Sequence, residues 1–521
     1  MKHRLMKHIG VSLSAILLFL LIQPSNVSAG KLTPPEETFT PGEWYLGGTP
    51  PNLDSTKPPI VFVQGKNGTA DRWYGETMYH GINDMYTKAY EAGYQTVFVQ
   101  LYDAAGNGSE SQYANGELLA SMLADISRHF NGKKVNIIAH SKGGPDTQAA
   151  LIHYGAHQYV GRVITLGSPH HGSELADLSY SWYAGWLASL LGQNDAGTYS
   201  LQVGEMARFR SVTDSHPNRS KNKYYTVAGT DRGPAFSALS LGGAYLGSYG
   251  ANDGLVTVTS SKLPYGTHLF TDSSLDHDNI RMGSKVFSRL EPYLRYSTVS
   301  SQSGATADST DRNAEAIEST SSHYIHGDAL IQNRTVKKDI YLLEKTIGTV
   351  SVYTASPSTV VELVSPDGTV IQATKPAVDQ TMFSGASLYS FDVTDFSAGT
   401  WTVQMKATDP DDAYLLVSAF DEEKAFSLKM AGTGKAEQTA FTVRTPKQAG
   451  TTSLSIKYID KDGNEVKQGS GVYKTASGTD FVATLPKVPK AGVYNMTVDM
   501  ETEHPNGQKS IRTLVRSVYI E

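Results

Sequence analysis

The chain has no cysteine. That absence excludes disulfides, cysteine-ligated metal and a thiol nucleophile. An excess of one charge is missing too: 45 basic against 51 acidic residues leave a formal net charge of −6, which gives no reason to expect nucleic acid as a partner. Charged residues are sparse at 18%, and hydrophobic residues reach 39%, the balance of a folded protein rather than a disordered one. Past the first residues there is no apolar run long enough to cross a membrane. What is present is length. At 521 residues the chain exceeds one ordinary core, so two or three domains are expected.

The amino terminus is the one strongly apolar segment. Lys2, Arg4 and Lys7 precede "VSLSAILLFLLI", Pro24 breaks the run, and small residues follow at Val27 and Ala29. This reads as a secretory signal cleaved after Ala29, residues 1–29, and not as a membrane anchor. The mature protein is expected to be exported, with no transmembrane segment.

From 30 to 297 apolar strand-like runs alternate with helix-like periodicity. "PPIVFVQG", "QTVFVQLY", "KVNIIAH" and "VGRVITLGSP" read as strands. "GETMYHGINDMYTKAYEAGY", "GELLASMLADISRHF" and "DTQAALIHYG" read as helices. The βαβ rhythm predicts a mostly parallel sheet covered by helices, an α/β domain. Residues 298–322 are rich in Ser, Thr and Ala without apolar period and read as a linker. From 323 onward, short alternating runs separated by Gly, Pro and Asp predict all-β sandwich modules. "VELVSPDGTVIQ" resembles "IKYIDKDGNEVKQ", and "AGTWTVQM" resembles "AGVYNMTVDM". The offsets, Asp367 to Asp462 and Gly399 to Gly492, divide the tail into modules at 323–425 and 426–521.

The stretch "VNIIAHSKGG" places Ser141 at a glycine-flanked corner between a strand and a helix. A hydroxyl becomes a nucleophile when such a strained corner exposes it above a parallel sheet beside a base, the G-x-S-x-G pattern. Here Ala139 takes the place of the first glycine, and Gly143 is the second. The helix start favours negative charge, so the Lys142 N–H is one candidate oxyanion donor. The loop in "IVFVQGKNG" supplies the other, the Lys66 N–H, with Gly65 allowing close approach.

The acid and the histidine are expected to follow the serine in that order. Asp253 in "YGANDGLVTV" is the candidate acid, with Asp231 and Asp272 as rivals. His277 in "SSLDHDNI" is the candidate base, with His268 as its rival. His170 and His171 in "SPHHGS" read as a structural turn.

Together "AHSKGG", "TLGSPHHGS", "YYTVAGTDRG", "NDGLVTVTSS" and "DHDNI" resemble the extracellular bacterial lipases of the α/β-hydrolase superfamily, including Bacillus-type members in which alanine opens the serine motif. The resemblance covers residues 57–295. It implies Ser141 as nucleophile, Asp253 as acid, His277 as base and a carboxylic ester as substrate, with no cofactor. The chain departs from the pattern in three places. Gln64-Gly65 stands where many relatives carry His-Gly. The zinc-binding insertion of some relatives is absent. Asp278 lies one place after the histidine rather than two, against a calcium site, and "DKDGNE" at 460–465 reads as a hairpin turn, so no metal is expected.

"LSYSWYAGWLASLLG" holds Trp182, Tyr183 and Trp186 at helical spacing. It is read as a cap whose inner face meets acyl chains, a substrate-binding surface. The tail modules could hold a polymer, the cell wall or a lipid surface, or serve as spacers. Two rival functions stand beside an ester or lipid hydrolase: an extracellular polyester depolymerase, and a non-catalytic cell-surface binding protein on a hydrolase scaffold.

Overall fold

Runs of Ile, Val and Phe such as "IVFV" at 60–63 and "TVFV" at 96–99 are buried at every residue, as expected of strands covered on both faces. They lie in a seven-stranded sheet. Its strands are β1 (Trp44–Leu46), β2 (Ile60–Val63), β3 (Thr96–Val99), β4 (Val135–His140), β5 (Val160–Leu166), β6 (Lys223–Gly229) and β7 (Thr267–Asp272). The order is β1-β3-β2-β4-β5-β6-β7, antiparallel only between β1 and β3. The structure is a computed structural model that describes residues 39–106, 108–192, 195–297, 317–421, 426–431, 440–444, 451–467, 469–476 and 480–521. The signal read at 1–29 lies outside these residues.

The helices of this half are α1 (Met85–Glu91), α2 (Gln112–His129), α3 (Gly143–Gln148), α4 (Glu174–Ser179), α5 (Gly185–Leu191), α6 (Ala196–Ser200), α7 (Val203–Thr213), α8 (Ala238–Leu246) and α9 (Gly283–Leu294). The α2 helix begins at 112, earlier than its apolar period shows, because Ser111 Oγ accepts the Ala114 N–H and caps it. One expectation fails. The periodic segment 75–94 is helical only over α1. Gly81 takes φ +77, the Thr77 N–H bonds to the Gly81 carbonyl, and the Tyr79 N–H is taken by Asp278 of a distant loop. Residues 76–82 therefore fold as a loop beside the carboxyl edge of the sheet.

From 317 onward the described chain forms four antiparallel sheets, two from residues 323–420 and two from the terminal strands. Residues Ile317–Ser321, inside the segment read as linker, form a strand paired with Phe426–Ala431 of the terminal half. The rest of the linker, 298–316, lies outside the described residues. The two similar hairpins occupy equivalent places: Leu363 pairs with Val403, and Tyr458 with Met496. These positions are 95 and 93 apart, the offsets of the sequence repeat.

The α/β half and the β half share a core. Leu175, Leu178, Leu187, Leu241 and Tyr245 pack in one buried cluster with Ile325, Tyr353, Phe383, Leu415 and Val515. Each such side chain contributes about 1.5–3 kcal/mol when fully buried. Several polar groups pair across the junction. Asp177 accepts the Ser517 N–H at 3.0 Å, Asn495 Nδ2 reaches the Asp177 carbonyl at 2.7 Å, and Arg516 meets Glu174 at 3.3 Å. Glycine is required at one crossing: a Cβ on Gly327 would fall 2.0 Å from the Tyr183 carbonyl oxygen.

Candidate active site

Ser141 closes β4 and precedes α3 with φ +53, a left-handed conformation rare for a residue with a side chain. The corner is feasible because its neighbours are small. A Cβ on Gly143 would sit 2.4 Å from the Gln64 carbonyl oxygen, and one on Gly65 would sit 2.8 Å from Ser141 Cβ. Ser141's own N–H is spent on the Leu166 carbonyl, which pins the corner to β5.

Two loops at the same edge of the sheet bring the partners. The loop after β7 carries His277, whose Nε2 lies 3.0 Å from Ser141 Oγ. Its Nδ1 lies 2.9 Å from Asp253 Oδ2. The loop between α8 and β7 carries Asp253, whose Oδ1 accepts the N–H groups of Leu255 and Val256. The His277 N–H donates to the Asp253 carbonyl at 2.8 Å, so backbone as well as side chain locks the pair. Both residues are buried, where such pairing gains strength. The rivals are engaged elsewhere: Asp231 with the Gly233 N–H, Asp272 with Arg289, His268 with Thr226 and Thr271.

His140 is packed against this pair. Its Nε2 lies 2.9 Å from the His277 carbonyl oxygen, so that nitrogen carries the proton and donates. Burial first, then the charges of His277 and Arg281, hold its pKa well below the ordinary imidazole value. It is a neutral support for the His277 loop. His170 is also buried and neutral, bridging Gln148 and Thr165 as a structural residue. Asp278, the residue after His277, is spent on Arg281 and the Tyr79 N–H.

Lys66 lines the same cavity as Ser141, Lys142 follows Ser141 in the chain, and neither backbone N–H is hydrogen-bonded to another group among the described residues. The Lys142 side chain turns inward to Asp146 at 2.9 and 3.0 Å. Burial opposes its charge, but the carboxylates of Asp146, Asp103 and Asp195 prevail and its pKa is raised. Burial pushes Asp146 up to about 7.

Ser141 and His277 face an open cavity whose walls include Leu201, Leu239, Leu255 and Val256. Met78 enters from the loop that replaced the expected helix. The rim is completed by Gln380, Thr381 and Met382 of the β half. Asp379 holds that turn by accepting the N–H groups of Thr381 and Phe383.

The aromatic residues expected to bind substrate are not brought to this cavity. Trp182 lies under the Lys457 ammonium, 3.8 Å from its ring centre. Tyr183 donates to Asp499 at 2.7 Å and stacks on His326. Trp186 is 57% exposed on α5. The apolar face of their segment is covered by β modules rather than turned over the serine. Residues that sequence reasoning missed are His140, Met78, Gly167 and the 380–382 turn. Of these Gly167 and His140 stand inside the motifs "TLGSP" and "AHSKGG", without a role being read for either. A Cβ on Gly167 would fall 2.8 Å from Asp253 Oδ2, and its φ is +56.

No family model matches the chain. A crystal structure of the Bacillus licheniformis lipase BlEst2 in its propeptide form is similar over 92% of this chain and 98% of that one, at 32% identity and a TM-score of 0.74. The chain belongs to the bacterial lipases and esterases of the α/β-hydrolase superfamily. That family consists of carboxylic ester hydrolases. A triacylglycerol lipase of Pseudomonas fragi is 28% identical over 169 residues, covering 32% of this chain and 52% of that protein. One of Pseudarthrobacter phenanthrenivorans is 34% identical over 137 residues, 24% of this chain and 36% of that protein. The chain thus spans about half the length of the first lipase and about a third of the second.

Proposed function

We propose that this chain is a secreted ester hydrolase, a triacylglycerol lipase or carboxylesterase, that works through an acyl-enzyme on Ser141. The observation that carries the reading is the hydrogen-bonded chain from Ser141 Oγ through His277 to Asp253. His277 Nε2 takes the hydroxyl proton as Oγ bonds to the ester carbonyl carbon. Asp253 stays ionised, accepts the hydrogen bond from Nδ1–H and stabilises the imidazolium. The carbonyl oxygen, now an oxyanion, accepts the N–H groups of Lys66 and Lys142. As the tetrahedral species collapses, His277 returns the proton to the departing alkoxide. Water then repeats the sequence against the acyl-enzyme, releasing the acid and restoring Ser141. The apolar walls at Leu201, Leu239, Leu255 and Val256 suit an acyl chain.

The proposed layout keeps a signal at 1–29, a catalytic domain at 30–297 and two β modules after a linker. The relative similar along nearly its whole length is a propeptide form, and in this chain Gln380, Thr381 and Met382 stand at the cavity rim. Both observations favour the β modules as a segment that covers the site until removed, over a polymer or cell-wall anchor.

The test is hydrolysis of p-nitrophenyl esters of rising acyl length by the intact chain, by chain nicked between 298 and 316, and by Ser141→Ala. Wild type should turn over the short esters, nicking should extend turnover to long ones, and Ser141→Ala should lose both. Activity retained by Ser141→Ala contradicts the hydrolytic reading, and unchanged chain-length preference after nicking contradicts the covering role.

A further inference from the structure

The loop expected to supply one oxyanion donor is strained. Asn67, third residue of the Gly65–Gly68 turn, takes φ +53. The turn is closed by the Gly68 N–H on the Gly65 carbonyl at 3.1 Å. In a trans peptide the N–H points opposite to the C=O. That bond therefore aims the Lys66 N–H away from Gly68, while Gly65 itself comes close enough to Ser141 that a Cβ would fall 2.8 Å from the Ser141 Cβ. A left-handed non-glycine residue persists when its surroundings over-determine it. Here the constraint is a buried carboxylate. The Asn67 N–H donates to Asp103 Oδ1 at 2.9 Å.

Asp103 sits in the single turn after β3, and all its oxygens are engaged. Ser109 Oγ donates to Oδ1, and Asn115 Nδ2 donates to Oδ2 at 2.7 Å. The same Asn115 amide reaches Asp146 Oδ2 at 3.0 Å. Asp146 in turn holds the Lys142 ammonium. Asn115 is itself oriented by the Tyr102 N–H on its Oδ1 at 3.2 Å. A continuous buried path therefore runs from Asn67 through Asp103, Asn115 and Asp146 to Lys142. It joins the two backbone segments whose N–H groups must converge on one oxygen. Each of Asp103, Asn115, Lys142 and Asp146 is at least nine-tenths buried. A network so costly to desolvate is retained only when its groups are fully paired.

We propose that Asp103 is a positioning residue for ester hydrolysis: it clamps the strained Asn67 turn and couples it to Lys142, so that the Lys66 and Lys142 N–H groups are held at the spacing an oxyanion requires. This rests on the reading of Ser141 as nucleophile and of those N–H groups as donors. It places Asp103 behind the site, touching neither substrate nor triad.

The experiment uses the full chain, with p-nitrophenyl acetate as substrate and phenylboronic acid as a probe, since a boronate on Ser141 presents a tetrahedral oxygen to the donors. Losing one oxyanion donor costs about 10²–10³-fold in kcat. Asp103→Ala should therefore lower kcat by about 10²-fold with KM within about 3-fold, and weaken phenylboronic acid in parallel. Asp103→Asn keeps an acceptor for Asn67 and should lose only about 10-fold. A folded Asp103→Ala with kcat and boronate affinity within about 3-fold of wild type overturns the proposal, as does a fall in kcat without a fall in boronate affinity. If Asp103→Ala shows no cooperative melt, Asp103→Asn decides on the same two readouts. Ser141→Ala run alongside separates the cases: activity retained there defeats the nucleophile reading itself.

Discussion

His140 and His277 stand with ring centroids 4.8 Å apart, and the His140 Nε2–H holds the His277 backbone carbonyl at 2.9 Å. The residue next to the serine thus fixes the loop that carries the base. His140→Phe keeps an aromatic ring but leaves that carbonyl without its donor. A lost hydrogen bond of this kind is about 1 kcal/mol, and small displacements at a reacting pair are amplified, so kcat on p-nitrophenyl acetate should fall about 10-fold while the fold survives. An unchanged kcat would show that His277 holds its place without this contact.

Gly167 offers a sharper steric probe. The alanine methyl would press on Asp253 Oδ2 at 2.8 Å and His277 Nδ1 at 3.3 Å, in a backbone conformation of φ +56 that disfavours any Cβ. Gly167→Ala should lower kcat by about 10²-fold, with a backbone cost of about 1–2 kcal/mol in stability. Steady-state kinetics and thermal melting on the same preparation separate the two effects.

Met382 is, with Gln380 and Thr381, one of the β-half residues lining the cavity, and it packs into the shared apolar cluster. Met382→Asp would bury an unpaired carboxylate there, at a cost of several kcal/mol unless the turn opens. In the intact chain, hydrolysis of p-nitrophenyl palmitate should rise at least about tenfold, with little change on the acetate. No gain on the long ester would argue that the turn does not obstruct acyl chains.

His323 gives the junction a dependence on acid. It is fully buried, stacks on Tyr245 with centroids 4.6 Å apart, and burial lowers its pKa to about 4. A histidine charges more readily unfolded, near pH 6.5, than in this site. Its neutral form is therefore no burden above that pH, and stability is lost as pH falls from about 6.5 towards 4, by up to about 3 kcal/mol. The nearby Arg512 charge acts in the same direction as burial. His323→Gln removes this titration. Melting curves at pH 7 and pH 4.5 should show a smaller loss on acidification for the variant than for wild type, and equal losses would contradict the assignment.

The parts of this molecule that could be read from sequence are those whose signal is local. The β4–Ser141–α3 corner is one continuous strand, turn and helix, and its glycines are needed within a few residues of the serine. Asp253 and His277 lie 24 positions apart, and His277 is 136 from Ser141, so their roles were legible through order and resemblance and not through spacing. The segment 75–94 misled because its apolar period is real, yet Asp278 draws the Tyr79 N–H out of a helix. Trp182, Tyr183 and Trp186 misled for a related reason. Periodicity marks an apolar face without saying what covers it, and here strands more than 140 residues downstream do, with Gly327 against Tyr183. The Asp103 path had no sequence signature, since its residues come from the Gly65–Gly68 turn, the turn after β3, α2 and the start of α3, which meet only in the fold.

The most direct measurement of the central claim is the site of covalent capture by diethyl p-nitrophenyl phosphate, read by peptide mass spectrometry. The account predicts one diethylphosphoryl group per chain on the peptide containing Ser141, lost in Ser141→Ala and strongly slowed in folded His277→Ala. A folded wild-type chain that takes up no label, or carries it on another residue, would contradict it.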